Sequence, residues 1–234
     1  MKYKTLVKQL SLSQTDLSEI QAAVQEAEKT TSGEIALAVT AESSSYAFWE
    51  LVSSLFSTFL LLICLFPLSS QIYSWLGNIF WGEEPWYLAA FYVAVCVVVL
   101  TCLYALYNIP FIDRLVIPAN ARHAAVSRRA MRYFAESGVY ATREHSGVLI
   151  FVSWFEKEVR IVSDSGISEK ISPDLWNLIA DDMADAFLHG DTKSAFLGAI
   201  SRCSALLSEN FPAKEENPNE LADGLVILED EKWV

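Results

Sequence analysis

Two long stretches without charged side chains dominate the pattern of apolar and polar positions. Residues 51–82 and 85–112 contain no Asp, Glu, Lys or Arg. Within them, the apolar runs 51–68 and 87–107 have about the length that a membrane-crossing helix needs, roughly 20 residues. Aromatic residues that favour the membrane interface lie at or near the ends of these runs, namely Trp49, Trp75, Trp81, Trp86 and Tyr107. We predict two transmembrane helices; the alternative is a pair of buried core helices.

The distribution of basic residues predicts the orientation of this hairpin. The connecting segment 69–85 contains no Lys or Arg, whereas basic residues occur on the other side of both runs. They are Lys2, Lys4, Lys8, Lys29, Arg114, Arg122, Arg128, Arg129 and Arg132. By the positive-inside rule, both termini lie in the cytoplasm and the short connector lies outside. The connector is rich in apolar residues, so it can lie along the outer interface as a short amphipathic segment.

The residues before the hairpin predict one helix and one strand. Leu17, Ile20, Val24 and Ala27 recur at helical spacing after Ser13, which is available as a helix cap. The segment 32–40 then alternates apolar and polar positions, as a half-buried strand does. A lone helix and strand cannot bury their apolar faces, so they must pack on the part of the chain that follows the hairpin. We therefore divide the chain into a first part of the domain (1–46), a transmembrane hairpin (47–110) and a second part of the domain (111–234).

The second part predicts helices interleaved with short strands. In order, it contains a basic helix over 119–137 ended by Gly138, a central strand over 147–153, a return strand over 159–163, helices opened by Ser172 and Asp191, and a short edge strand over 225–228. The strands 147–153 and 159–163 form a hairpin, since only a short turn separates them. The arginines of the basic helix can contact anionic lipid headgroups, or they can form a solvated helix face. The pattern indicates an α/β fold with a small mixed sheet.

Composition excludes several classes of protein. The chain is 53% hydrophobic, with 9 Gly and 7 Pro in 234 residues, which excludes a disordered or low-complexity protein. Four cysteines are too few for a disulfide scaffold, and we interpret all four as unpaired thiols. The net charge of −12 makes nucleic acid an unsuitable partner, because phosphate contacts need clustered Lys and Arg. The apolar excess lies in the hairpin, and the remainder is an acidic globule.

An ordered set of short motifs resembles the TPM domain family. The set comprises Thr31-Ser-Gly-Glu-Ile35 and Tyr46, Arg143, Gly147-Val-Leu-Ile-Phe-Val152, Val159-Arg-Ile-Val162, Asp164-Ser-Gly-Ile167, Trp176, Met183, Phe211-Pro212 and Asn219-Glu-Leu-Ala-Asp223. The resemblance covers about residues 13–46 and 119–229. It implies an α/β/α sandwich, here interrupted by a two-helix transmembrane hairpin. Some members of the family are described as acid phosphatases, some relatives bind calcium, and others resemble assembly, repair or receptor-accessory factors.

Three polar residues form the candidate catalytic site, namely Glu34, Arg143 and Asp164. Glu34 points to the strand face opposite Ile35, and Asp164 ends a strand, where ligands of open α/β sheets commonly bind. Carboxylates at such a place suit Ca²⁺ or Mg²⁺, and an arginine can hold a phosphate. The alternative is an internal Arg–Glu pair that orients the strands.

The candidate metal ligands are Asp164, Asp181 and Asp182. The last two belong to the helix that Ser172 opens, where they lie opposite its apolar face. A metal near Asp164 would need additional oxygen ligands. The alternative is a solvated acidic helix face.

Two functions follow from these features. The first is a membrane protein that presents a cytoplasmic domain as an interaction or accessory module for a protein partner; its motivation is the lack of catalytic motifs together with the acidic helix face. The second is a phosphatase assisted by Ca²⁺ or Mg²⁺, which depends mostly on the resemblance.

Overall fold

The structure of the chain is a computed structural model that describes residues 3–82, 84–214 and 219–228. Its helices are α1 (Tyr3–Leu10), α2 (Gln14–Glu28), α3 (Ala47–Leu65), α4 (Ser69–Phe80), α5 (Trp86–Tyr107), α6 (Pro110–Val116), α7 (Ala119–Glu136), α8 (Ser165–Ser168), α9 (Pro173–Leu188) and α10 (Thr192–Asn210). Its strands are β1 (Glu34–Thr40), β2 (Gly147–Ser153), β3 (Glu158–Ser163) and β4 (Leu225–Leu228). The chain divides into two compact units, residues 1–44 with 120–234, and residues 45–119.

The four described strands form one mixed sheet in the order β3–β2–β1–β4. Strand β1 runs parallel to β2 and to β4, and β2 runs antiparallel to β3. Every residue of β2 is buried, as the continuous apolar run at 147–153 predicts for a central strand. The predicted hairpin of β2 and β3 and the predicted edge strand β4 are both confirmed.

Helices cover both faces of the sheet, because alternate side chains of each strand point to opposite faces. Ile35, Leu37 and Val39 of β1 pack in the larger core. Residues of α1, α2, α9 and α10 complete this core. Ala38 and the alternate residues of β2 pack on the other face against Val126, Ala130 and Phe134 of α7. The result is the expected α/β/α sandwich.

The hairpin is inserted at a connection that must leave the sheet in any case. Strands β1 and β2 are adjacent and parallel, so the chain needs a long crossover to join them. Helix α7 supplies the packed part of that crossover, and residues 45–119 precede it. Insertion here leaves every strand pair of the sheet intact.

Within the second unit, α3 and α4 are joined by a short 3-10 turn at Phe66–Leu68, and α5 packs against both. The hydroxyls of Ser57 and Tyr107 lie 2.9 Å apart, and those of Ser69 and Tyr92 lie 2.7 Å apart. Such polar contacts help apolar helices to pair. The unit extends beyond the predicted 47–110, since α6 contacts α3 and α5.

Two short helices lie outside the predicted elements. Helix α1 buries Leu6 and Leu10 in the larger core, and Tyr3, Leu6, Val7 and Leu10 recur along it at helical spacing. Helix α8 has four residues and follows directly from Asp164, which caps it. The longer helices begin as predicted, with side-chain caps from Ser13, Ser172 and Asp191.

Candidate functional site

Glu34 and Asp164 lie at the same end of the sheet, the end at which β2 begins. Glu34 begins β1 opposite Gly147, the first residue of β2. The backbone N–H of Asp164 donates to the carbonyl of the same Gly147 at 2.9 Å. The strand register therefore places both acids beside the start of β2, Glu34 on one side of it and Asp164 on the other.

We expected Asp164 at the end of the sheet where ligands of open α/β sheets bind, but it lies at the other end. Asp164 follows the carboxyl end of β3, but β3 runs antiparallel to β2. This end of the sheet therefore contains the amino ends of the parallel strands β1 and β2. Ligands of open parallel sheets bind beyond the carboxyl ends. The general rule therefore gives no support to a ligand site at Asp164.

Both carboxylate oxygens of Asp164 have partners in neighbouring segments of the chain. Its Oδ1 accepts the backbone N–H of Ser165 at 2.6 Å and caps α8. Its Oδ2 lies 3.3 Å from Nδ1 of His145. Two residues later, a Cβ on Gly166 would lie 2.8 Å from the carbonyl oxygen of His145. The Asp-x-Gly motif therefore packs the turn after β3 closely against the loop before β2.

Glu34 is buried, and it keeps one unused oxygen. Its side chain is 4% exposed, and its Oε2 has no hydrogen-bond partner among the described residues. Burial raises the pKa of Glu34, and the carboxylates of Glu220 and Asp223 raise it further. The backbone N–H groups of Glu220 and Leu221 oppose this rise by hydrogen bonding to the ionised form. Glu34 therefore binds a proton more readily than an exposed glutamate does.

Arg143 contacts Glu220, which lies near Glu34. Its backbone N–H donates to Oε2 of Glu220 at 2.9 Å, and its Nε lies 3.4 Å from Oε1 of the same residue. The Arg143 side chain is 76% exposed. Arg143 therefore forms an Arg–Glu pair, but the acid is Glu220 instead of Glu34, and the arginine is exposed instead of internal.

The segment 219–223 completes a cluster of four carboxylic acids that sequence reasoning did not assemble. Its members are Glu28, Glu34, Glu220 and Asp223. Glu28 accepts the backbone N–H of Ile35 at 3.0 Å, and Gln25 donates to Asp223 at 2.7 Å. Burial raises the pKa of Glu28 to about 8, assisted by the carboxylates of Glu34 and Asp223. A signal was present, because Glu28 follows Val24 by four residues on the apolar face of α2.

The proposed metal ligands are not assembled in this cluster. Asp181 and Asp182 are exposed on α9, and Asp182 pairs with Arg202 of α10. Within residues 3–82, 84–214 and 219–228, no group of three or more His, Cys, Asp or Glu side chains is arranged to hold a metal ion. The donors at Asp164 and Asp182 already have partners, so they do not form a ready-made Ca²⁺ or Mg²⁺ site. Metal binding at Asp164, Asp181 and Asp182 stays a prediction.

The phosphatase hypothesis also stays a prediction. Its three residues lie at one end of the sheet. However, Asp164 caps a helix and Arg143 forms a surface ion pair. The test is hydrolysis of phosphate esters by the full chain and by the Asp164→Asn and Arg143→Ala variants. Equal rates for all three would show that these residues do not form a catalytic site.

A second buried polar network lies at the opposite end of the sheet, beyond the carboxyl ends of β1 and β2. The carboxylate of Glu156 accepts the backbone N–H of Ser43 at 3.0 Å and the hydroxyl of Ser153 at 2.5 Å. The two serine hydroxyls lie 2.6 Å apart. This network fixes the last residues of the domain before the chain enters the second unit. The sequence pattern predicts only a turn at Glu156.

Comparison with known proteins agrees with this architecture. Residues 113–206 match the family model of the TPM domain. This chain contains a TPM domain. The matched range begins in α6 and ends in α10, whereas β1 at the centre of the same sheet precedes it. The sheet that contains the matched strands therefore also includes a strand from before the hairpin.

A solved structure shares the fold. It is the NMR structure of the BA42 protein from the psychrophilic bacterium Bizionia argentinensis, with 19% identity and a TM-score of 0.55. The similarity covers 93% of this chain and 95% of that one. At this identity the similarity concerns the fold alone. No curated protein matches the chain.

Proposed function

We propose that this chain is an integral membrane protein that presents its TPM domain in the cytoplasm as an interaction module for a membrane-associated protein. The supporting observation is that the two apolar helices are exposed. In the most apolar 18 residues of Ala47–Phe80, 11% of the residues are buried, and in those of Trp86–Tyr107, 0% are buried. Core helices of soluble proteins bury their apolar side chains, whereas lipid accepts exposed ones. Examples are Phe59, 62% exposed, and Val93, 65% exposed.

The lengths of the helices fit a two-span hairpin. Helix α5 has 22 residues and crosses a hydrocarbon core of about 30 Å. Helix α3 has 19 residues, and the 3-10 turn at Pro67 separates it from α4. Helix α4 has 12 residues and is too short to cross alone. We infer that α3 and α5 span the membrane and that α4 lies at its outer interface.

Membrane insertion and orientation have one common test. In a chain with Cys64, Cys96 and Cys102 replaced by serine, a cysteine is placed either at Gln71 in α4 or at Glu26 in α2, both of which are exposed. A membrane-impermeant thiol reagent applied to intact cells should modify Q71C and leave E26C unmodified until the cells are opened. The reverse pattern would contradict the orientation. Release of the chain from membranes by alkaline carbonate would contradict insertion.

The outer side of α9 supports the role as an interaction module. Leu175, Leu178 and Leu188 are exposed on this helix, together with Asp181, Asp182 and Asp185. At 100° per residue, these six side chains fall within an arc of about 140°. We call them the α9 outer face. Apolar side chains among acids suit a partner segment that carries both basic and apolar side chains.

Site-specific cross-linking in native membranes tests this interaction. A photoreactive residue at Leu178 of the full chain should give a discrete adduct that the charge reversal D181K/D185K abolishes. The matched control is a photoreactive residue at Glu26, which is exposed on α2. Equal adducts from both positions, or an adduct that survives charge reversal, would contradict the proposal.

A further inference from the structure

Residues 219–228, which we call the β4 segment, close one side of the sheet. Strand β4 within this segment pairs with residues 37–40 of β1. It is less deeply buried than β1 and β2. The apolar side chains that pack the segment on the two cores are only partly buried, namely Leu221, Leu225, Ile227 and Leu228. A segment with few buried apolar contacts opens at a lower free energy than the core does, so its attachment depends strongly on its polar contacts.

Two carboxylic acids of the β4 segment meet two buried acids of the domain. Asp223 lies against Glu28 of α2, and the two side chains share a hydrogen bond. Gln25, three residues earlier on α2, donates to Asp223 at 2.7 Å. Glu220 lies near Glu34 of β1 and donates its backbone N–H to that side chain. The polar contacts of the β4 segment with α2 and β1 are therefore centred on these four acids.

The contact between Glu28 and Asp223 requires a proton. An ionised carboxylate can only accept hydrogen bonds, so one of two bonded carboxyl groups must be protonated. Glu28 is the one that holds the proton, because it is 6% exposed whereas Asp223 is only half-buried. Burial disfavours the charged form and raises the pKa of Glu28 to about 8.

Loss of this proton would place like charges in contact. The ionisable groups that face Glu28 are Glu34 from β1 and Asp223 from the β4 segment, and both are acids. Helix α10 also packs on α2, but its Lys193 pairs with acids near the amino end of α2. An ionised Glu28 would therefore face two acids and could no longer donate to Asp223.

Glu34 is a second buried acid in the same position. It is 4% exposed, and its Oε2 has no hydrogen-bond partner among the residues that the structure describes. The ionisable groups that face it are Glu220 and Asp223, which raise its pKa together with burial. Arg143 pairs with Glu220 but is 76% exposed, so solvent screens its charge.

We propose that the β4 segment is a proton-dependent latch, which is attached to α2 and β1 while Glu28 is protonated and detaches more often once Glu28 ionises. Protonated Glu28 donates to Asp223, whereas ionised Glu28 repels it, and detachment separates the two charges. It also leaves the backbone of residues 37–40 at an open edge of the sheet.

Linkage gives the direction and the size of this effect. Attachment raises the pKa of Glu28 from its ordinary value of 4.5 to about 8. The contribution of Glu28 to attachment is therefore fully present below pH 4.5 and is lost as pH rises to about 8. Over this range, the ratio of detached to attached segments should rise by at most about tenfold per pH unit.

Cysteine labelling of β4 in the full chain tests the latch. I227C is placed in a chain whose four native cysteines are replaced by serine or alanine, and the chain is studied in detergent with EDTA. Each labelling rate is divided by that of the urea-unfolded chain at the same pH, which cancels ionisation of the thiol. We expect the normalised rate to rise by about tenfold or more between pH 6 and pH 8. L225C is a second position in β4 with the same expected result.

Matched variants separate the latch from opening of the whole domain. In the I227C chain, E28Q should lower the pH dependence by more than half, and E28Q/E34Q should remove the rest. E26Q, on the exposed side of α2, should leave it unchanged. Cys203 in the larger core, measured as the single cysteine, should label at least about tenfold more slowly than I227C at each pH, because the latch opens without the core.

Three results would overturn the latch. Equal normalised rates at I227C and Cys203 would show that β4 leaves only when the whole domain unfolds. A rate at I227C that does not change between pH 6 and pH 8 would show that no proton controls attachment. The same pH dependence in E28Q/E34Q as in the wild type would show that the proton is held elsewhere.

Discussion

Glu28 is a carboxylic acid on the buried side of α2, and its titration should control the stability of the TPM domain. Burial raises its pKa to about 8, whereas an ordinary glutamate titrates near 4.5. Between these two values the folded chain holds a proton that the unfolded chain has lost. The contribution of Glu28 to stability should therefore be fully present below pH 4.5 and fall as pH rises to about 8, by at most about 1.4 kcal/mol per pH unit. The raised pKa of Glu34 acts in the same direction.

The substitution E28Q should remove most of this pH dependence, since glutamine keeps the acceptor for Ile35 and cannot ionise. Cys203 provides the readout, because its thiol is fully buried and burial raises its pKa to about 12. In a chain with the other three cysteines replaced by serine, its labelling rate in detergent reports opening of the domain. Each rate is divided by that of the urea-unfolded chain at the same pH. E26Q, on the exposed side of α2, is the control; an unchanged slope in E28Q would contradict the assignment.

Two glycines should respond oppositely to alanine. A Cβ on Gly147 would lie 2.1 Å from the carbonyl oxygen of Val139, so G147A must displace backbone and should cost about 1–3 kcal/mol. Gly198 lies inside α10 with open space around it, so G198A should stabilise the domain by about 0.5–1 kcal/mol. Cys203 labelling measures both effects. A G147A variant as stable as the wild type would contradict the close packing.

At the scale of elements, the network of Ser43, Ser153 and Glu156 joins the end of β2 to the chain that follows β1. E156A would leave the buried N–H of Ser43 and the hydroxyl of Ser153 without their acceptor. We expect a loss of about 2–4 kcal/mol, as for other buried polar groups that lose a charged partner. Cys203 labelling measures the loss, and E26A on the surface should change it little. A similarly small effect of E156A would contradict the structural role of this network.

The strands and the longer helices could be predicted, because their apolar residues repeat with the period of the element. The candidate site could be predicted only in part. Glu34 and Asp164 lie at one end of the sheet because of the strand register. Local sequence patterns do not specify that register. Asp223 and Glu220 reach Glu34 from more than 180 residues away, across the insertion. Local periodicity contains no information about such a distant approach.

At the scale of the whole molecule, the hairpin is an insertion, and the TPM domain should fold without it. The unit formed by residues 1–44 and 120–234 has cores on both faces of its own sheet. Replacing residues 45–119 by a flexible Gly/Ser linker should therefore give a soluble domain. Its Cys203 should be protected from labelling as well as in the full chain. An aggregated product, or rapid labelling of Cys203, would show that the hairpin contributes to folding.

Charge and hydropathy along the chain are sufficient to predict two apolar helices within an acidic α/β domain. Charge and hydropathy are properties of contiguous residues, so they are visible without a structure. The folded structure was needed to show that the apolar helices are exposed and that the hairpin lies in a crossover between parallel strands. It was also needed to show that four carboxylic acids lie near one another at the amino ends of β1 and β2. These features depend on strand direction and on contacts between distant segments. Burial, which raises the pKa of Glu28 and Glu34, arises only when those segments have packed together.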